Sequence, residues 1–99
     1  MYKYVVDLGK RLQGFGDSAE SHIVIRTACE ANPWFTERDI ISAIEAIRTQ
    51  MLDKERLEAW LGNYPAITTP QRVAIIMAGN IPLVGFFDLL CVLCSGHEA

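Results

Sequence analysis

The sequence has no surplus of positive charge. Nine Lys and Arg stand against twelve Asp and Glu, interleaved along the chain, for a formal net charge of −3. Nucleic-acid-binding domains carry a basic patch or stripe, so no nucleic-acid partner is expected. Cysteine is scarce and odd in number, three in all, with two of them inside an apolar run. A secreted domain stapled by disulfides would carry an even set in polar loops. The opening Met1-Tyr2-Lys3-Tyr4 alternates polar with apolar and lacks the apolar core and cleavage site of a signal peptide. These lacks predict a reduced, cytoplasmic setting. Internal repeats and low-complexity stretches are missing too. With 51% hydrophobic and 21% charged residues among 99, the chain is too apolar for a disordered tail and long enough for one small core.

One apolar stretch, residues 73–94, is long enough to span a bilayer if it is helical. Gly79, Asn80, Pro82 and Asp88 interrupt it where hydrocarbon would penalise them most. No cluster of Lys or Arg follows to anchor it. No membrane span is expected.

What the sequence does have, first, is helical periodicity. Val5, Leu8 and Leu12 place a helix over 2–12, broken by Gly14-Phe15-Gly16. Asp17 or Ser18 can cap a second helix, which must end near Asn32 because Pro33 disfavours helical geometry in the residue before it. Thr36 begins a third, with Asp39 as the acidic partner of a capping box and Ile40, Ile44, Ile47 and Met51 as one stripe. Asp53 restarts a short fourth helix through Leu57, Trp60 and Leu61, which Gly62-Asn63 ends.

After residues 65–70 the character changes. Residues 72–78 (RVAIIMA) form a β-branched and apolar run without alternation, the pattern of a strand covered on both faces. Gly79 turns, Asn80 can cap, and Pro82 suits the first turn of a helix. That helix, 83–94, is apolar nearly all round and so is expected to be buried, with Gly96 closing it. A single strand leaves its backbone groups without partners. The chain is therefore expected to be truncated, with dimerisation as a possible compensation.

A buried strand feeding a helix through a glycine is how α/β enzymes approach a dinucleotide, with free N–H groups at the helix start. It is not the GxGxxG fingerprint, and a plain helix cap by Asn80 explains the same residues. Cys91-x-x-Cys94-x-x-His97 resembles a metal or redox motif in spacing alone. The thiols lie at a helix C-terminus, where the dipole raises their pKa, and the set lacks a clear fourth ligand. Buried core cysteines and a solvated His97 are expected, with no metal site. Asp88 is expected on a wet strip of its helix or paired with Arg72. Trp34, Phe35 and Trp60 are expected to pack between helices.

The segment RVAIIMAGNIPLVGFFDLLCVLCSGHEA resembles the acyl-CoA reductases of the bacterial-luminescence (Lux-type) family. Upstream, Asn32-Pro33-Trp34-Phe35-Thr36 and LEAWLGNYP at 57–65 resemble that family's helical N-terminal region. The family is related to the aldehyde dehydrogenase superfamily, whose Asn-Phe-Pro-Leu signature Asn80-Ile81-Pro82-Leu83 is similar to. In such enzymes a cysteine thiolate attacks the acyl carbon, and hydride from a nicotinamide reduces the thioester to an aldehyde. The resemblance implies that Asn80 is the oxyanion donor and that Met77, Ala78 and Gly79 pass along NAD or NADP. It places the ribose-contacting lysine and the nucleophilic cysteine beyond Ala99. Phe87 stands where many relatives carry a histidine.

The expected fold is therefore mostly α with one βα unit. A helical region at 1–66 precedes, at 71–99, the first strand–turn–helix of an aldehyde-dehydrogenase-like nucleotide-binding domain. The expected function is that of the N-terminal fragment of an NAD(P)H-dependent acyl-CoA reductase, inactive alone and binding no cofactor by itself. A fatty acyl-CoA or acyl-thioester is the substrate of the parent enzyme. The alternative is a small helical interaction module forming a homodimer through residues 73–94.

Overall fold

A computed structural model describes every residue from Met1 to Ala99 and contains five helices and no sheet. They are α1 (Tyr2–Arg11), α2 (Ala19–Ala31), α3 (Glu37–Gln50), α4 (Lys54–Leu61) and α5 (Phe86–Cys94). The first four form where local signals put them. Ser18 Oγ accepts the Ser21 amide at the head of α2, Thr36 Oγ1 accepts that of Asp39 in α3, and Asp53 Oδ1 accepts that of Arg56 in α4. Each satisfies one amide that the first helical turn leaves free, worth about 1 kcal/mol. Pro33 ends α2 as its chemistry requires, with Asn32 already extended at φ −136° and ψ 104°.

The apolar stripes of these helices meet in one cluster of Val5, Ile47, Leu52, Leu57 and Leu90. It joins α1, α3, α4, α5 and the α3–α4 connection. Tyr2, Val6, Leu12, Met51, Trp60, Phe86 and Cys94 pack around it. Each fully buried aliphatic contributes on the order of 1.5–3 kcal/mol. Ile25 of α2 and Ile40 of α3 are buried as well. Gly9 lets α1 approach the α3–α4 connection. A Cβ there would lie 2.8 Å from Leu52 Cβ and 3.1 Å from the Leu52 carbonyl oxygen.

The βα unit expected at 71–99 is not present. Residues 73–78 have no regular secondary structure, and the one β feature is an isolated parallel bridge between Arg72 and Glu98. Its two backbone bonds run from the Val73 amide to the Glu98 carbonyl, 2.8 Å, and from the Glu98 amide to the Gln71 carbonyl, 3.0 Å. Glu98 is brought there by the end of α5. Gly96 sits at φ +91° beyond the Ser95 cap, the His97 amide bonds to the Val92 carbonyl and the Gly96 amide to that of Leu93. That pairing is a Schellman turn, which needs the left-handed conformation glycine adopts at little cost. The ladder is limited to this single rung. β-branched side chains favour a strand but supply no partner for its amides and carbonyls. The run is not covered on both faces either, and Ile76 is 98% exposed.

The last helix also differs from expectation. It begins at Phe86 with Gly85 as its N-cap, so Asn80 caps nothing. Leu83 lies at φ 57°, in the left-handed region that breaks a helix for a side chain of its size. Residues 82–85 instead form turns. Nor is α5 buried all round: Leu90 is buried, whereas Phe87 is 51% exposed. Only one side of α5 meets the cluster built by the earlier helices.

Gly9→Ala should destabilise the fold. The gain of about 1 kcal/mol in helix propensity is outweighed by overpacking of ~1–3 kcal/mol against backbone and Cβ atoms that cannot swing away. A thermal melt showing equal or higher stability would contradict this packing. A second prediction concerns Tyr2, whose hydroxyl donates to Glu58 Oε1 at 2.7 Å and ties α1 to α4. Partial burial, then the Glu58 hydrogen bond and charge, push the phenol from the usual 10.0 up to about 12. The protonated phenol is the form that donates. Its stabilising contribution is therefore complete below pH 10 and lost as pH rises towards 12. Melting curves of the wild type and Tyr2→Phe should differ near neutral pH and converge over that window; a gap that persists at its upper end would refute the linkage.

Candidate functional site

Residues 74–80 form no backbone–backbone hydrogen bonds. At their end lie the four positions expected to carry function, Met77, Ala78, Gly79 and Asn80, all on the surface. Met77 folds its side chain against Gly85, where an added Cβ would overlap Met77 Cγ and Sδ. Close contact at Gly85 thus fixes the thioether end of the segment.

Gly79 presents the opposite case. A Cβ built on it meets nothing within 4 Å, and its φ is outside the left-handed region. Neither crowding nor turn geometry within this chain requires glycine there. Asn80 caps no helix, because α5 starts later under Gly85. The explanation of both residues as a turn and its cap is thereby removed.

The segment is instead held from the far end of α2. Asn32 Nδ2 donates to the Gly79 carbonyl at 2.7 Å, across 47 positions of sequence. The same side chain accepts the Trp34 amide through Oδ1 at 3.0 Å, closing an Asx turn over Pro33. Both ends of one amide are used, one locally and one at long range. The Asn-Pro pair signals the local turn in the sequence; nothing in it signals the partner.

A dinucleotide cradle needs the glycine turn to run straight into a helix N-terminus beside a neighbouring strand end. Here Gly85 and its turns separate Gly79 from α5, and no strand is present. Met77, Ala78 and Gly79 therefore do not by themselves make the site expected for NAD or NADP.

The cysteine-and-histidine spacing gathers no metal site. No group of three or more His, Cys, Asp or Glu is placed to hold an ion. Burial raises the Cys91 thiol pKa, with Asp88 adding to it. Burial likewise raises that of Cys94, against the lowering influence of the N-terminal amine. Both remain thiols rather than nucleophilic thiolates. They are half-buried, not fully buried, and with Trp60, Tyr64 and Ile67 they line an apolar cavity of about 580 Å³. His97 is half-buried rather than solvated, and its Nδ1 accepts the Gln71 amide at 3.0 Å. Asp88 is exposed on α5, and Arg72 pairs with Glu98 at 3.4 Å instead. Trp60 stacks on Phe87 with centroids 6.2 Å apart, whereas Trp34 is 75% exposed and not packed between helices.

No helix is long and apolar enough to cross a membrane. Comparison with known proteins adds no identity: no family model, curated protein or solved structure matches the chain.

Proposed function

We propose that this chain is the N-terminal part of an NAD(P)H-dependent acyl-CoA reductase that converts a fatty acyl thioester to an aldehyde. The support is the resemblance of residues 72–99 and of the Asn32–Thr36 and 57–65 motifs to that family, together with one observation. Gly79 and Asn80 stand on the surface with no structural duty of their own, yet Asn32 holds the Gly79 carbonyl at 2.7 Å. An amide that caps nothing, next to a glycine with an open face, is suited to meet a reacting group brought by the rest of the enzyme. Asn80 acts there as the oxyanion donor, since an amide donates without titrating. The cysteine nucleophile and most of the nicotinamide site belong to further chain. The 99-residue chain alone turns over no substrate.

In the reductase, Asn80→Ala should lower kcat by ~10²–10³ with little change in melting temperature, because the donor acts mainly in the transition state. Normal turnover in that variant would overturn the assignment of Asn80. Acyl-CoA-dependent oxidation of NADPH by the 99-residue chain alone would overturn the placing of the nucleophile.

A second reading is favoured by the apolar surface. Ile76, Met77, Ile81, Leu83, Val84 and Phe87 are all exposed within twelve consecutive positions. Contiguous apolar surface of this kind rarely persists on a monomer. On this reading the chain is a small helical interaction module that pairs with a second copy through residues 73–94, as a two-fold dimer. Light scattering across a concentration series should show self-association, weakened by Ile76→Lys. A monomer at every concentration would exclude it.

A further inference from the structure

We infer that Asn32 is a positioning residue, clamping the Gly79–Asn80 peptide to the end of α2 and thereby fixing the backbone from which the Asn80 side-chain amide projects. The inference rests on the reductase reading for its catalytic consequence, but the clamp itself is a property of this chain. Residues 74–80 make no backbone–backbone hydrogen bonds, and besides the Met77 contact at Gly85 the Asn32 bond is the one hydrogen bond that holds them. Asn32 Nδ2 reaches the Gly79 carbonyl oxygen at 2.7 Å, and that oxygen shares a rigid peptide plane with the backbone N–H of Asn80. No cis bond occurs in the chain, so the Asn80 N–H points opposite to the Gly79 carbonyl and away from α2. The bond therefore restrains the backbone at Asn80 as well as the Gly79 carbonyl.

Asn32 is itself well fixed. Its backbone amide bonds to the Ala28 carbonyl at the end of α2, and its Oδ1 holds the Trp34 amide at 3.0 Å. Pro33 restricts the backbone between those two anchors. With Oδ1 committed to Trp34, the NH₂ end is the one left to turn towards Gly79. Asparagine is the residue type this job needs. Aspartate could keep the Trp34 bond but has no donor for a carbonyl, and alanine keeps neither.

The test uses Asn32→Asp and Asn32→Ala, read by NMR on the 99-residue chain and by turnover in the reductase. In the wild type, a scalar coupling across the Asn32 side-chain N–H to the Gly79 carbonyl carbon should be detectable. Asn32→Asp should abolish it and drop the backbone order parameters of Gly79 and Asn80 from rigid values near ~0.85 towards ~0.6, while α2 and α3 stay unchanged. In the reductase the same variant should lower kcat roughly 10- to 100-fold with KM nearly constant, as misplacement of a transition-state donor does. Unchanged order at Gly79 and Asn80 would overturn the clamp. So would a uniform loosening of α2, α3 and the turn together, which would make Asn32 a helix cap only. Loss of order with normal turnover in both Asn32→Asp and Asn80→Ala would uphold the clamp and overturn the reductase role of Asn80. If Asn32→Ala does not fold, Asn32→Asp, which keeps the Trp34 bond, decides alone.

Discussion

A strand is a relationship between two stretches of backbone, and the stretch after Arg72 finds its partner for a single rung. Gln71, Arg72 and Val73 are clasped by His97 and Glu98, through two backbone bonds, the His97 ring and the Arg72–Glu98 pair. Beyond Val73, residues 74–80 make no backbone–backbone hydrogen bond. The rest of the C-terminal third follows from this. Without a sheet to dock on, α5 packs one face onto the helical cluster through Leu90 and leaves Phe87 outside. Without a strand end to launch it, the helix starts only after Leu83 and the turns around Gly85.

The helical part is held by a different logic, and a more local one. Ser18, Thr36 and Asp53 each accept an amide three positions on, so each helix start is written within four residues. Of the stripe on α3, Ile47 meets Val5 of α1 and Leu57 of α4 in the core cluster, and Ile40 is buried as well. This is why α1 to α4 could be read along the sequence almost to the residue. The caps and the 3.6-residue period involve no distant neighbour.

What could not be read depends on such neighbours. The apolar run at 72–78 has the composition of a buried strand, but composition does not provide the second strand. Asn80 and Pro82 carry the residue types of a helix start, and Leu83 at φ 57° cancels it, a backbone state no local propensity announces. Cys91 and Cys94 fall in an apolar helix by pattern alone, but their half-exposure towards the Trp60 and Tyr64 cavity depends on where the 60–67 connection passes. The bond from Asn32 to Gly79 joins two motifs that are each visible in the sequence, and only the fold brings them together.

That junction is where the two halves of the chain become informative about each other. The Asn32 motif ends a capped helix, and the Gly79–Asn80 turn follows a stretch without backbone–backbone hydrogen bonds of its own. A hydrogen bond between a rigid element and a loose one transfers order in one direction, from α2 to the turn. Its net worth is about 1 kcal/mol, too little to hold the fold and enough to bias one loop conformation about fivefold over its competitors. A bond of that size has small leverage on stability but large leverage on the position of the one amide beside it. The sequence spends an asparagine on each side of that contact, at 32 and at 80, and a glycine between them that neither φ nor crowding requires. Neither crowding nor a helix cap accounts for Gly79 and Asn80, whereas Asn32 carries both the local Asx turn and the long-range bond to Gly79.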